Sequence, residues 1–499
     1  MNAMFGSIPP LESSPRPICA RARRALEPVL AVDLDGTLVR CDLLHESLLK
    51  LVVNEPAALL RMPGWLRQGK AQFKREVAAR VEVDVALLPY ERPLVDWVAA
   101  ERNAGRRVVL CTASDAKLAH AVAAYLPIFD DVIASDGHTN LSAENKARAL
   151  VERYGEKGFD YAGNSHADVP VWAQARSAIV VSAPAGVRAA ARRVASVERE
   201  FGDRTSAVTT WVHAIRMHQW VKNLLVFLPL LGAHQFFNVA LLTQAIWAFL
   251  AFGLCASSVY LLNDMADIES DRRHARKRGR PFASGRLPVP HGAAASLLFV
   301  CVAFGIAFTL VRWQFAAWLG VYFATTLSYT FWLKRKVIVD SLVLAGLYTL
   351  RVIGGGAAVA ISPGFWLLAF SLFLFLSLAL VKRYSELESL MAEGRLATAG
   401  RDYRVGDRQL VETLGIVSGF AAVLVMALYI NGETVARLYP RNEVIWFTVP
   451  VLLYWVSRVW LKAHRGELHD DPVVFAMTDN LSRVTIALFF LTLLIASVR

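Results

Sequence analysis

A two-part fold class, an N-terminal α/β domain followed by an all-α polytopic membrane bundle, is what three observations predict. At 499 residues the chain is too long for one ordinary domain. Up to Arg204 charged residues are interspersed among short apolar segments, whereas after Arg216 long apolar runs are separated by basic loops. Where one of those runs meets a strongly basic loop stands Asn263-Asp264-Met265-Ala266-Asp267-Ile268-Glu269-Ser270-Asp271, a set of acids too costly to keep at a membrane rim without a task. The divisions that follow are an N-terminal extension over 1–28, an α/β domain over 29–205 and a membrane domain over 206–499.

The first element is the apolar strand from Val29 to Val32, which ends in Asp33-Leu34-Asp35-Gly36-Thr37. A buried parallel strand delivers both carboxylates to the carboxyl edge of a sheet, where α/β proteins place their sites. Arg107 to Ser114 forms a second strand ending in hydroxyls, and Phe159 to Asp168 a third. Lys146 lies between them, ahead of an apolar helix. Glu46, Lys70 and Lys74 fall in a helical insertion after the first strand, and their pattern reads foremost as a solvated helix face.

These motifs, in this order over about Ala31 to Ile179, resemble the haloacid dehalogenase superfamily of phosphohydrolases. The resemblance implies a Rossmann-like fold with Asp33 as the nucleophile and Asp35 as the acid that protonates the leaving group. Thr112 and Lys146 would hold phosphoryl oxygens, and Asp33, Asp35, Asn164 and Asp168 would form the magnesium group. Asn164 departs from the pattern: the family usually has an acidic ligand there, and an amide oxygen coordinates without adding charge.

A helix needs ~20 apolar residues to cross ~30 Å of hydrocarbon. Nine stretches qualify as candidates, near 224–240, 241–262, 293–311, 315–333, 341–360, 365–381, 413–430, 444–461 and 483–498, the first interrupted by Pro229. The net charge of +12 belongs to alternate loops, among them those with Arg272 to Arg286, Lys334 to Lys336, Lys382 to Arg408, and Lys462 with Arg465. Short opposite loops carry little beyond Arg312, Arg437 and Arg441. That bias puts the basic loops and the α/β domain on the cytoplasmic side, and it explains the charge without nucleic acid. Cys19, Cys41, Cys111, Cys255 and Cys301 show no paired spacing, so a reducing compartment without disulfides is expected. No basic, apolar, small-residue succession of a cleaved signal peptide precedes the first strand. The expected location is a membrane, the bacterial inner membrane being the first choice.

Asp264, Asp267 and Asp271 are spaced i, i+3, i+7, so on one helix they share a face and can hold a divalent cation, Mg2+ being the hard ion that accompanies phosphates. Lys222 and Asn223 sit side by side at a helix start and suit a phosphate, while Trp220 reads at least equally as an interfacial anchor. Asp340 opens a span after Lys334-Arg335-Lys336, where it would bind magnesium or orient a lysine, and Lys334 would neutralise a diphosphate. Arg351 is an intramembrane cation and so a functional candidate, and Gly354-Gly355-Gly356 lets helices approach closely.

The form Asn-Asp-x-x-Asp-x-x-x-Asp followed by Arg280-Pro281 is similar to the UbiA superfamily of membrane transferases, over about Arg216 to the C-terminus. The resemblance implies that Asn263, Asp264, Asp267 and Asp271 bind a diphosphate through magnesium, with Arg280 among the substrate contacts. Members that prenylate aromatic rings usually carry a second Asp-x-x-x-Asp after the sixth span, where this chain has Lys382-Arg383-Tyr384-Ser385-Glu386. The set Tyr329, Lys334, Asp340 looks like the polyprenyl-phosphate phosphoribosyltransferase branch, which implies a phosphoribosyl diphosphate donor and a lipid phosphate acceptor. Lys222, Lys382 and Arg383 would hold the phosphates. The partners implied are a polyprenyl lipid, a phosphorylated small-molecule donor and the bilayer, and the sequence allows a homo-oligomer. The fused phosphohydrolase would remove the 5-phosphate that the donor leaves on the lipid product. The alternatives are prenyl transfer to an aromatic or quinone-precursor acceptor and, in another class, a transporter with a soluble regulatory domain.

Overall fold

The computed structural model describes residues 28–202, 206–392, 394, 401–432, 435, 438–468 and 471–497. Most of the N-terminal extension over 1–28, with Cys19, and also Arg437, lie outside the described residues. The chain divides into two compact units, Met1–Trp211 with Asp264–Gly292, and Val212–Asn263 with Ala293–Arg499. The segment that carries the acidic motif thus groups with the sheet domain.

The first unit is built on a six-stranded sheet of order β3-β2-β1-β4-β5-β6, formed by Val29–Val32, Val108–Asp115, Asp131–Ser135, Phe159–Gly163, Ser177–Val181 and Ser196–Phe201 in chain order. Every pairing is parallel, and Ala31 faces Val109 on one side and Tyr161 on the other. Leu30, Ala31, Val32, Leu110, Tyr161 and Ile179 are fully buried, as expected of strands covered by helices on both faces. Asp160 is buried in β4 between Arg106 and Arg176 and accepts from Ser177 N–H and Oγ, which ties β4 to β5. The outer strand β6 is largely exposed. After β1 the helices Leu43–Asn54, Ala58–Arg67 and Lys70–Arg80 make a cap with a small core of its own, Leu51, Met62, Trp65, Phe73 and Val77.

The second unit is helical. Among the described residues seven helices are long and apolar enough to cross a membrane, not the nine that hydropathy suggests. The run 224–240 forms no span, because Met217–Phe227 is wound as 3₁₀ helix and Leu228–Gly232 is a five-residue helix begun by Pro229. Trp313–Phe331 is a helix of 19 residues, but Gln314, Tyr322, Thr325, Thr326 and Ser328 dilute its apolar character. Helix Phe365–Ala392 packs against Val339–Val359 and Arg408–Ile430 around Phe375, Leu380, Tyr348 and Trp460. The glycine run has the expected packing role: a Cβ on Gly355 would stand 2.1 Å from the Val226 carbonyl oxygen, so only glycine lets helix Val339–Val359 come this close to Met217–Phe227.

Candidate active sites

The first candidate site lies at the carboxyl ends of β1, β2 and β4, around a cavity of about 600 Å³ lined by Asp33, Asp35, Ser114, Lys146, Asn164 and Asp168. Lys146 Nζ is 2.9 Å from Asp33 Oδ1 and 3.7 Å from Asp168 Oδ1, and it donates to the Tyr161 hydroxyl at 2.7 Å. Asp168 accepts from Tyr161 OH through one oxygen and from the amides of Asn164 and Ser165 and Ser165 Oγ through the other. It is therefore held rigidly and fixes Asn164 beside it. Thr112 is fully buried and accepts the Ser114 N–H, while Ser114 Oγ donates to Asp35 Oδ2 at 2.6 Å and lines the cavity. Two strand-end hydroxyls therefore stand together, Thr112 within the strand and Ser114 at the cavity.

Burial pushes the Asp33 carboxyl up to about 6, against the pull of Lys146. Burial also pushes Asp35 to about 7, helped by the charge of Asp42. Burial opposes the charge on Lys146, but Asp33 and Asp168 outweigh it and hold the ammonium above its ordinary value. Carboxyls raised by burial in this way mark a deficit of positive charge. Hard oxygens on Asp33, Asp35 and Asn164 meet that deficit with a donor set that fits magnesium. No group of three or more His, Cys, Asp or Glu able to hold a metal occurs among the described residues, so such an ion would complete its shell with water and phosphate.

The cap contributes more than a solvated face. Lys74 and Glu46 both line the cavity, and Lys74 Nζ donates to the Ala113 carbonyl at 2.6 Å and to Asn140 Oδ1 at 2.9 Å. Lys70 is exposed, in keeping with the solvated reading.

The acidic motif departs from the continuous helix its spacing suggests. Helix Val239–Ala266 ends before Asp267, which starts a second helix, Ile268–Arg273. Arg280 nevertheless bridges the motif, 3.2 Å from Asp264 Oδ1 and 2.8 Å from Asp271 Oδ2, and both carboxylates are buried. Burial raises the Asp271 carboxyl in spite of Arg280. Hard carboxylate oxygens gathered around one guanidinium suit a divalent cation that takes over the bridging charge.

In the helical unit Lys222 donates to Asp471 Oδ2 at 2.7 Å, and Lys382 lies 3.3 Å from the same oxygen. Burial opposes ionisation at Asp471, but Lys382 and Lys222 hold its carboxyl well below the usual range. Beside them Arg351 donates to Asn223 Oδ1, the Leu347 carbonyl and the Tyr322 hydroxyl. Trp220 donates to Ser257 Oγ and its ring fills the space over Gly253, so it packs between helices.

The next residue along, Arg383, faces a different acid. Asp340 is fully buried and accepts from Tyr403 OH at 2.6 Å and Ser341 Oγ at 3.1 Å, and Arg383 Nε stands 3.2 Å from its other oxygen. Arg383 also pairs with Glu386, which Arg401 meets at 3.1 Å, and Arg401 is hydrogen-bonded to Tyr329. Two guanidinium nitrogens of the buried Arg383, Nε and Nη2, have no hydrogen-bond partner among the described residues. Lys334 sits half-buried in the turn Leu333–Arg335. Sequence reasoning missed Asp471, Tyr403, Arg401 and Glu386. The signal for Asp471 was available, since it opens the apolar helix Pro472–Thr478 much as Asp340 opens its own span.

The UbiA prenyltransferase family model matches residues 224–494, and the haloacid dehalogenase-like hydrolase model matches 30–172. An uncharacterized protein of Sinorhizobium fredii, y4nM, is 37% identical over 94% of this chain and 90% of its own length. The nodulation protein NoeC of Azorhizobium caulinodans is 35% identical over 56% of this chain and 90% of its own length. A decaprenyl-phosphate phosphoribosyltransferase of Mycobacterium tuberculosis is 32% identical over 54% of this chain and 88% of its own length.

Proposed function

We propose, from the premise that this chain belongs to the UbiA prenyltransferase family, that it is a membrane transferase moving phosphoribosyl from phosphoribosyl diphosphate to a polyprenyl phosphate. The observation that carries this reading is the basic set of Lys222, Lys382 and Arg383. Lys382 and Arg383 stand where an aromatic prenyltransferase would bring a second pair of aspartates, Lys222 joins Lys382 at Asp471, and Arg383 Nη2 has no hydrogen-bond partner among the described residues. The likeness to decaprenyl-phosphate phosphoribosyltransferases supports the same donor and acceptor classes. Membership of an enzyme family replaces the transporter reading.

Asp264, Asp267 and Asp271 would hold a magnesium ion, which would supply charge to stabilise a leaving diphosphate. Arg280 would keep the two buried acids apart and oriented in its absence. Lys334 would neutralise the departing group, and Lys222, Lys382 and Arg383 would hold the lipid or donor phosphate. Asp340, clamped by Tyr403 and Ser341, would orient Arg383.

In the sheet domain Asp33 would attack the phosphorus of a phosphate monoester. The new bond joins Asp33 Oδ to phosphorus, the ester P–O bond breaks, and Asp35 gives its proton to the leaving oxygen. Water then cleaves the acyl phosphate, Asp35 takes back the proton, and inorganic phosphate leaves. The substrate proposed is the 5-phosphate of the transferase product. The domain limits 29–205 and 206–499, the inner membrane and a cytoplasmic sheet domain complete the proposal, in accord with the basic loops.

Purified protein in detergent with labelled phosphoribosyl diphosphate, polyprenyl phosphate and magnesium should carry label into the organic phase. Label that stays in the aqueous phase, while a prenyl diphosphate is consumed with an aromatic acceptor, would overturn the assignment of donor.

A further inference from the structure

The acidic floor of the 600 Å³ cavity faces a wall that the sheet domain's own cap does not supply. That wall is the stretch from Phe282 to His291, just downstream of the acidic motif. Phe282 and Leu287 are buried, while Pro288, Pro290 and His291 are exposed. Of the side chains that line this wall, only that of His291 is polar, so the wall suits the carbon part of an ester better than its phosphate.

Its position is fixed by contacts with the very residues that line the floor. Arg272 donates to both oxygens of Glu46, at 2.8 and 2.6 Å, with the side chains 8% and 12% exposed, and also to the Ala283 carbonyl at 2.8 Å. Lys50 of the cap pairs with Glu269 at 2.7 Å. Gly285 has φ +72, and a Cβ there would stand 2.7 Å from Arg40 Cβ and 2.9 Å from its backbone, so the turn is seated directly on the loop that follows β1. A bidentate, nearly buried arginine pair is the kind that sets geometry.

Val289, half-buried in this wall, is also the first residue of the most apolar candidate span, Val289–Val311. The wall is therefore continuous along the chain with a helix long and apolar enough to cross a membrane. We infer that residues 282–291 are the specificity-determining wall of the phosphohydrolase cavity and select phosphate monoesters whose alcohol part is attached to a membrane lipid. This rests on the phosphohydrolase reading of Asp33 and Asp35.

The test uses the full chain in detergent with magnesium and two probes, ribose 5-phosphate and a farnesyl-phosphate-linked ribose 5-phosphate. Expected is a higher kcat/KM for the lipid-linked ester, a preference that Val289→Asp cuts about tenfold and Val289→Ile preserves. If Val289→Asp fails to fold, His291→Glu at an exposed position should lower the same preference. Equal hydrolysis of both probes by the unaltered protein, or a preference untouched by folded variants, overturns the inference and leaves the phosphohydrolase standing. Hydrolysis that persists in Asp33→Asn, or hydrolysis of neither probe, overturns the phosphohydrolase and the wall with it.

Discussion

In the sheet domain the buried charge left without compensation is negative, whereas in the helical unit it is positive. Asp33 and Asp168 share one buried lysine, Asp35 pairs with none among the described residues, and burial raises the Asp33 and Asp35 carboxyls. Around Asp471 two lysines share one carboxylate, and Arg383 Nη2 has no hydrogen-bond partner among the described residues. A buried charge without a partner is expensive, so each imbalance indicates what completes it. The first cavity calls for a cation and the second cluster for an anion.

Substitutions that remove the chemistry should separate the units most sharply. Asp33→Asn should lower phosphate-ester hydrolysis by roughly a thousandfold or more while labelled donor still reaches the lipid. Conversely, Asp264→Ala or Asp271→Ala should cut that transfer by roughly 10²–10³-fold, as loss of a charge-stabilising group does, with hydrolysis of ribose 5-phosphate retained. Loss of both activities in either variant, in protein that still melts cooperatively, would break the comparison.

Asp471→Asn leaves Lys222 and Lys382 facing each other without their shared carboxylate. It should destabilise the helical unit by about 3 kcal/mol, read as a lower melting temperature in detergent, and high phosphate should recover part of the loss. Recovery by phosphate is the sharpening result, because a purely structural pair would not respond to it.

The smallest effect is a pH slope. Asp33 and Asp35 bind their protons more tightly in the folded chain than at the ordinary value of 3.8, with midpoints near 6 and 7. Metal-free protein therefore loses stability as pH rises from about 4 to about 7, the reverse of a salt-bridged carboxylate. With chelator present the sheet-domain transition should drop by roughly a few degrees over that window. Added magnesium should restore it, and Asp35→Asn should flatten the slope.

Much of this was legible because the signals were local. The strand carrying Asp33 and Asp35, the hydroxyl-ended β2 and the acidic motif each announce themselves within ten residues or so. What escaped depends on long-range partners. The pairing of Lys222 with Asp471 spans 249 positions and that of Arg272 with Glu46 spans 226, and no periodicity encodes either. Hydropathy failed for 224–240 for a different reason: an apolar run is a statement about solvent, while Pro229 and the 3₁₀ winding of Met217–Phe227 are statements about backbone. Glu46 and Lys74 look like surface because their spacing is that of a solvated helix, and only the fold of the cap turns them inward.

The outer strand β6, reading Ser-Val-Glu-Arg-Glu-Phe, ends the sheet with Glu198, Arg199 and Glu200 in a row. Charges of both signs along an open border discourage a second chain from adding its own strand there. Copies crowded together in a bilayer are thereby discouraged from zipping into ribbons along this border.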